Sequence, residues 1–279
     1  MSEKENVPQQ IQLIRQLSNE LAAFLYQLPE GVWRQADQYA SPCEKWTVAD
    51  VVTHLVVVAN DFTSSILRGR RGQATPPMGF RPMSADERTV ELVRLRDSYY
   101  EDLFPEFNAS CRTLNKLLLE LKPEEYDMPV WLIAGESTVS TMIAVRALEL
   151  ALHGWDIKSP FDRSAPLNKS AIPLLKTWVP RWLGAGFQKG ERLGSSVTFR
   201  FALDDSAGEC YDVRVTGDAF THAHASNADA DVSLSLDTDG YILFCYGRLP
   251  LGRSVRRGRI VVEGDQELAA TFGDWFKPL

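Results

Sequence analysis

STVSTMIAVRALELALHGWDIK, residues 137–158, is the stretch that decides the fold of the first half of this chain. Five residues that recur at spacings of three and four would form one stripe on a helix, and apolar side chains cover the rest of the helix surface. The stripe consists of Met142, Arg146, Glu149, His153 and Asp156. A helix that is apolar on nearly every side is buried, and buried acids and imidazoles need partners. The stretch therefore predicts a core helix with a functional polar face.

A second stretch, WTVADVVTHLVVVANDF at residues 46–62, repeats this pattern. Asp50, His54 and Asp61 interrupt a helical run of valine, leucine and phenylalanine. The chain has only four histidines, and two of them, His54 and His153, lie in these two apolar helices. Two buried helices that each carry a polar stripe suggest that the stripes face each other around an ion.

The composition limits the classes of partner. Hydrophobic residues make up 44% and charged residues 24% of the 279 residues, which is typical of a globular protein. A net charge of −7 argues against binding to nucleic-acid phosphates. No apolar run reaches the roughly 20 residues of a membrane-spanning helix, and the polar start MSEKENVPQQ is unlike a secretory signal. We expect a cytoplasmic monomer or homodimer, with no nucleic-acid or membrane partner.

The four cysteines are scattered and form no C-x-x-C pair, which favours reduced thiols in the cytoplasm. They are Cys43, Cys111, Cys210 and Cys245. None of the four lies inside either ligand-bearing helix. Cys43 precedes the helix that carries His54, and the other three are distant in sequence. A nucleophilic sulfur is therefore expected to come from outside the chain.

The first 160 residues predict a four-helix bundle. The expected helical segments are residues 11–28, from Thr47 to about Leu67, from Ser84 onward with a break at Pro105, and 137–157. Thr47 is a candidate N-cap, and Asp50 three residues later completes an acidic capping box. An irregular piece is expected at 128–136. Bundles build metal sites from side chains on facing helices.

After residues 159–166, a predicted linker, the hydrophobic period falls to two. One helix is expected over 168–186, then short strands such as Val197–Phe199–Phe201, with short helices at 238–246 and 266–276. The fold class is therefore α+β with two domains, over residues 1–160 and 167–279.

His54, Glu149 and His153 supply two imidazoles and one carboxylate, a set that leaves coordination positions open as catalytic sites require. With no cysteine among them we favour Zn²⁺, and Fe²⁺, Ni²⁺ or Mn²⁺ are also compatible. Asp156 is placed to orient an imidazole. The alternative is that both histidines are ordinary core residues and that Glu149 pairs with Arg146.

His222 and His224 form an H-x-H pair in the second half. Such a pair can bind metal, but no third ligand lies nearby in the sequence. We therefore interpret the pair as an exposed edge.

Two motifs carry a family resemblance. CEKWTVADVVTHL at 43–55 resembles the opening of the second helix in the DinB-like metal-dependent enzymes, and RALELALHGWDI at 146–157 resembles their E-x-x-x-H-x-x-D helix. With four helices followed by an α+β unit, the whole chain resembles the mycothiol-dependent maleylpyruvate isomerase family. The resemblance implies a DinB-like metal-binding bundle over 1–160 and a sterol-carrier-like domain over 167–279.

The resemblance also implies site residues. His54, Glu149 and His153 would be the metal ligands. Arg248, in the stretch FCYGR, matches a family arginine that helps to bind thiol or substrate, so it is our catalytic and cofactor-binding candidate. Arg81 is a second candidate for holding substrate carboxylates by forked hydrogen bonds. The competing interpretation of Arg81 is an ordinary surface residue.

The implied activity is that of an S-transferase or maleylpyruvate-type isomerase that uses a divalent metal and a low-molecular-weight thiol. The thiol is mycothiol by default, with ergothioneine or bacillithiol suited to the same chemistry. Its metal-bound thiolate would attack a small electrophile. Two alternatives stay open: a metal-dependent hydrolase or amidase of thiol conjugates, and a non-enzymatic small-ligand-binding protein.

Overall fold

A computed structural model of the chain describes residues 6–34, 39–43, 45–188, 196–206, 208–226 and 228–277. It divides into two compact units, Met1–Ala171 and Ile172–Leu279. The sequence had predicted domains over 1–160 and 167–279. None of the helices within the described ranges is long and apolar enough to cross a membrane.

The first unit is a four-helix bundle with two further α-helices and a hairpin added to it. Its elements are α1 (Val7–Tyr26), α2 (Gly31–Arg34), α3 (Val48–Gly69), α4 (Ala85–Tyr99), α5 (Leu103–Leu119), β1 (Pro129–Leu132), β2 (Gly135–Thr138) and α6 (Val139–Lys158). Both α1 and α3 pack against α5 and against α6, which closes a ring of four helices. The predicted bundle is confirmed.

The central element of this bundle is α6. From Val139 to Ile157 it is buried everywhere except at Thr141, Val145 and Glu149, which are half-buried. The apolar residues on every side of this stretch explain the burial, because each face of the helix has a neighbour to pack against.

The capping box at the start of α3 is present as predicted. The Thr47 Oγ1 accepts a hydrogen bond from the Asp50 backbone N–H at 3.2 Å, and the Asp50 carboxylate accepts one from the Thr47 backbone N–H at 2.9 Å. Arg96 on α4 adds an ion pair to Asp50 at 2.9 Å. These contacts satisfy a carboxylate that is almost completely buried, and they set the residue at which α3 begins.

The predicted break of the third helix at Pro105 is wrong. The chain turns earlier, at Tyr100, whose φ of 43° and ψ of −111° end α4 and lead into a 3₁₀ turn over Tyr100–Asp102. Pro105 lies in the first turn of α5. A proline is tolerated there because the first backbone N–H groups of a helix have no intrahelical acceptor.

The piece at 128–136, predicted to be irregular, instead contributes to a hairpin. β1 and β2 pair antiparallel, with Pro129 opposite Thr138 and Leu132 opposite Gly135. The hairpin packs closely on the end of α3, where a Cβ at Gly69 would lie only 2.9 Å from the Pro129 carbonyl oxygen. Strands of four residues are too short to show a clear period of two in the sequence.

The second unit is an α+β domain, as predicted. Its elements are α7 (Ile172–Gly186), β3 (Val197–Leu203), β4 (Cys210–Thr216), β5 (Ala219–His224), β6 (Val232–Leu236), α8 (Thr238–Cys245), α9 (Leu251–Arg256), β7 (Val261–Gly264) and α10 (Gln266–Trp275). The sheet order is β5-β4-β3-β6-β7, with β3 and β6 parallel and the other pairs antiparallel. Phe199 and Phe201, which alternate on β3, pack against Phe272 of α10.

The end of α8 has a glycine that the backbone requires. Gly247 has a φ of 75°, and its N–H donates to the Phe244 carbonyl at 3.0 Å while the Arg248 N–H donates to the Leu243 carbonyl at 2.7 Å. These two bonds form a Schellman motif, which satisfies carbonyl groups at the helix end. The motif also sets the position from which the Arg248 side chain starts.

Replacing Gly247 with alanine is expected to lower the free energy of unfolding by about 1–2 kcal/mol, because a Cβ is strained in the left-handed conformation. Chemical denaturation measures the change. Gly273→Ala is the matched control, since Gly273 lies within α10 with open space around it and no positive φ. That control should be neutral or stabilising. Equal effects of the two substitutions would contradict the assignment.

Candidate metal centre

The two helices with polar stripes bring three predicted residues together. His54 on α3 and the pair Glu149 and His153 on α6 meet inside the bundle, with the His54 Nε2 2.9 Å and the His153 Nε2 3.1 Å from the Glu149 Oε2. The two imidazole ring centroids are 4.9 Å apart. One nitrogen or oxygen atom from each residue lies within 4.8 Å of the others.

The surroundings of this group are apolar on one side and open on the other. The Trp46 ring lies against both imidazoles, with its centroid 5.0 Å from that of His54 and 6.2 Å from that of His153. His153 is buried, whereas the side chains of His54 and Glu149 are 23% and 24% exposed to solvent. Solvent therefore reaches the group from the side of His54 and Glu149.

Asp156 orients one of the imidazoles. Its Oδ2 lies 2.9 Å from the His153 Nδ1, and its carboxylate is fully buried. Because Nδ1 is used in this contact, Nε2 is directed towards Glu149. A carboxylate behind a histidine in this way is the common outer partner of a metal ligand.

Burial and the neighbouring charges shift the pKa values of all three residues in the group. Burial lowers the pKa of His54 below its usual value, and the attraction of Glu149 offsets this only in part. Burial acts to raise the pKa of Glu149, but the two imidazoles outweigh it and hold the pKa well below its usual value. Burial would lower the pKa of His153, yet its hydrogen bonds to Asp156 and Glu149 raise it overall. The group thus favours an ionised Glu149 and a positive charge on His153, but disfavours a positive charge on His54.

This donor set fits a divalent ion. Tetrahedral Zn²⁺ with bonds of about 2.0–2.1 Å holds its donors roughly 3.3–3.5 Å apart. The carboxylate oxygen of Glu149 lies 2.9 and 3.1 Å from the two imidazole nitrogens. An adjustment of a few tenths of an ångström in these separations would admit the ion. Two imidazoles and one carboxylate leave at least one coordination position for another molecule.

No cysteine was expected in the site, but the structure places Cys43 beside it. The Sγ of Cys43, a nitrogen of His153 and an oxygen of Asp156 all lie within 4.8 Å of one another. Cys43 is half-buried in the segment before α3. The sequence contains one indication of this position, because Cys43 lies three residues before Trp46, whose ring contacts both imidazoles.

Arg146 does not serve as the partner of Glu149 that the alternative interpretation proposed. Its guanidinium is 1% exposed and donates to the Leu55 carbonyl at 3.1 Å and to the Cys111 Sγ at 3.3 Å. Its Nε finds no partner within the described ranges. This buried cation contributes to lowering the pKa of His54.

The two candidate arginines lie in different settings. Arg248 is buried in the second unit, where its Nη1 donates to the Tyr246 carbonyl at 3.0 Å. Arg81 lies on an exposed loop and pairs with Glu87 at 2.9 Å. No hydrogen bond or ion pair joins Arg81 to the metal-ligand candidates in the described part of the chain. Both assignments stay predictions.

The H-x-H pair lies on β5, an edge strand of the sheet. His222 is half-buried, with its Nε2 2.6 Å from the Tyr241 hydroxyl oxygen, and His224 is exposed and stacked on Tyr211. Neither belongs to a group of candidate metal ligands in the described residues. The expected exposed edge is thus confirmed for His224.

Comparisons with known proteins come from both sequence and structure. Residues 14–158 match the family described as mycothiol maleylpyruvate isomerase N-terminal domain, and residues 189–277 match the SCP-2 sterol transfer family. The first match covers more than half of the chain. No curated protein matches the sequence at a significant level.

Two solved structures have the same fold over nearly the whole chain. A crystal structure of the mycothiol-dependent maleylpyruvate isomerase has 16% identity and a TM-score of 0.63, covering 89% of this chain and 93% of that chain. A histidine-to-alanine mutant of that enzyme has 15% identity and a TM-score of 0.65, covering 94% and 96%. The predicted two-domain architecture is confirmed.

If the three residues hold a metal, the purified protein supplied with Zn²⁺ should contain about one ion per chain, as measured by elemental analysis. A His54→Ala/His153→Ala double variant should lose it, because one carboxylate cannot hold the ion alone. His224→Ala is the control and should retain the full content. Full metal content in the double variant, or none in the unsubstituted protein, would contradict the assignment.

Asp156→Asn should weaken metal binding by about 10–100-fold, since an outer carboxylate typically contributes that much to affinity. Competition with a chromophoric chelator measures the affinity. Circular dichroism of the same sample verifies that the variant is folded. An unchanged affinity in the folded variant would mean that Asp156 does not support His153 as a ligand.

Proposed function

Since this chain belongs to the mycothiol maleylpyruvate isomerase N-terminal domain family, we propose that it is a metal- and thiol-dependent isomerase. The observation that carries the proposal is the group of His54, Glu149 and His153, open to solvent on one side of the bundle. Its proposed partners are a small thiol and a small electrophilic substrate.

A divalent ion at this group, with Zn²⁺ our first choice, would supply a position at which a thiol loses its proton near neutral pH. His54, Glu149 and His153 would hold the ion. Asp156 holds the His153 ring in the orientation that directs Nε2 towards Glu149. The Trp46 ring restricts water on the side of the two imidazoles.

The reaction we propose is a cis–trans isomerisation. The thiolate adds to a carbon–carbon double bond that a neighbouring carbonyl activates. A C–S bond forms, and the electron pair of the broken π bond moves into the carbonyl group as an enolate, which leaves a single bond between the two carbons. Rotation about that bond and expulsion of the same thiolate restore the double bond with the other geometry, so the thiol is regenerated. If the thiol stayed on the product, the enzyme would be an S-transferase.

We assign the recognition of substrate carboxylates to arginine. Arg248 is the catalytic and thiol-binding candidate, and Arg81 is the second candidate. A guanidinium presents two parallel N–H groups that match a carboxylate. The support for Arg248 is its place in the FCYGR stretch and the helix end that holds its backbone.

Mycothiol is the thiol that we propose, because the similar solved structure is named as a mycothiol-dependent enzyme. Ergothioneine and bacillithiol remain candidates, since each also presents a sulfur that could bind the ion. The electrophile is maleylpyruvate or a compound with a similarly activated double bond.

The zinc-loaded protein should convert maleylpyruvate to its trans isomer only when mycothiol is added, as followed by proton NMR. The His54→Ala/His153→Ala variant is the control and should be inactive, because it lacks two of the three donors. In a Co²⁺-substituted sample, sulfur-to-metal charge-transfer absorption should appear on addition of the thiol.

Equal turnover without thiol would favour the hydrolase or amidase alternative, in which metal-bound water is the nucleophile. A cobalt spectrum that does not respond to thiol, with no turnover of any electrophile, would favour the non-enzymatic ligand-binding alternative. Either result would replace the present proposal.

A further inference from the structure

The half-buried residues of α6 form one line. Between Val139 and Ile157 only Thr141, Val145 and Glu149 reach solvent, and they are spaced by four residues. Residues spaced by four lie one above the other on a helix. The bundle therefore leaves α6 open along a single stripe that ends at Glu149.

A matching line runs along α3. Starting from His54, the residues that reach solvent on the same side are Val57 and Val58, then Asp61, then Ser65. Their spacings of three, four and seven place them on one face. The line begins at the metal-ligand candidate and continues for about three helical turns.

The two lines run side by side in opposite chain directions, because α3 and α6 are antiparallel. His54 contacts Glu149 at one end. At the other end, Ser65 donates to the Trp131 carbonyl of β1 at 2.6 Å, and β1 pairs with β2, which leads directly into α6.

This pairing defines a feature that we call the trough. Counting along both helices from the contact between His54 and Glu149 places Val58 opposite Val145 and Asp61 opposite Met142, one residue from Thr141. The trough is lined by His54, Val57, Val58, Asp61, Ser65, Thr141, Val145 and Glu149. It has polar residues at both ends and valines in the middle.

Asp61 is the charged group at the far end of the trough. It has no hydrogen-bond or ion-pair partner among the described residues, yet burial raises the pKa of its carboxyl above the usual value. Its side chain still reaches solvent. Neighbouring atoms thus partly desolvate the carboxylate, although a ligand can still reach it.

We propose that the trough binds the body of the thiol co-substrate and that Asp61 accepts hydrogen bonds from its hydroxyl or ammonium groups. This inference rests on the proposed function. The seven steps along the helix from His54 to Asp61 span about 10 Å at 1.5 Å per residue. The recognised group should therefore lie about 10 Å from the sulfur.

The chemistry of the trough selects among thiols. An ionised carboxylate with no cation beside it repels an acidic ligand and favours donors such as hydroxyl and ammonium groups. The valines in the middle suit an aliphatic segment between the sulfur and these groups. A small thiol that extends less than about one helical turn from the ion site would not reach Asp61, so its affinity would not depend on that residue.

The test compares binding of two thiols to the zinc-loaded protein by calorimetry. Mycothiol carries an N-acetylcysteine unit on a hydroxyl-rich sugar, and N-acetylcysteine lacks that sugar. Asp61→Ala should weaken mycothiol binding by about tenfold or more, as expected for a hydrogen bond to a charged group. It should leave the binding of N-acetylcysteine and the zinc content unchanged.

Glu124→Ala is the matched control, because it also removes an exposed carboxylate from the first unit without lining the trough. It should leave mycothiol binding unchanged. The inference is overturned if Asp61→Ala binds mycothiol normally, if both thiols weaken equally, or if Glu124→Ala has the same effect. Binding of neither thiol by the unsubstituted protein would instead contradict the proposed function on which the inference rests.

Discussion

The Glu149 carboxylate lies between two imidazoles inside an apolar bundle, and the arrangement of the first unit depends on that contact. An ionised carboxylate taken out of water is costly unless it is paired and hydrogen-bonded. His54 and His153 meet this need at 2.9 and 3.1 Å. Because His54 comes from α3 and the other two come from α6, the contact also sets how these helices lie along each other.

The same constraint applies to the other buried charges of the unit. The Asp156 carboxylate contacts the His153 Nδ1. The Asp50 carboxylate accepts a hydrogen bond from the Thr47 backbone N–H and pairs with Arg96. The Arg146 guanidinium donates to a carbonyl oxygen and to a thiol sulfur. The Nε of Arg146 is a buried donor with no partner among the described residues. A buried donor without an acceptor lowers the stability of the unit. The positive charge of Arg146 also lowers the pKa of His54.

Much of the candidate site followed from the sequence because helical periodicity is local. Glu149 and His153 lie one turn apart on any helix, so the spacing alone placed them on one face. The capping box at Thr47 and Asp50 was equally local. Cys43 was missed because it lies in a loop, where spacing in the sequence does not predict position. Pro105 was misjudged because a proline ends a helix only when it lies beyond the first turn.

The sequence by itself determined the long helices of the bundle and the strands with a clear alternation, since the periods of 3.6 and 2 are properties of each segment alone. It also determined that the stripes of α3 and α6 had to be buried together, because their polar groups need partners. Only the tertiary structure decided that the two helices bring His54 to Glu149 and that Cys43 approaches His153. Those relations depend on packing between segments distant in sequence, which no local pattern encodes.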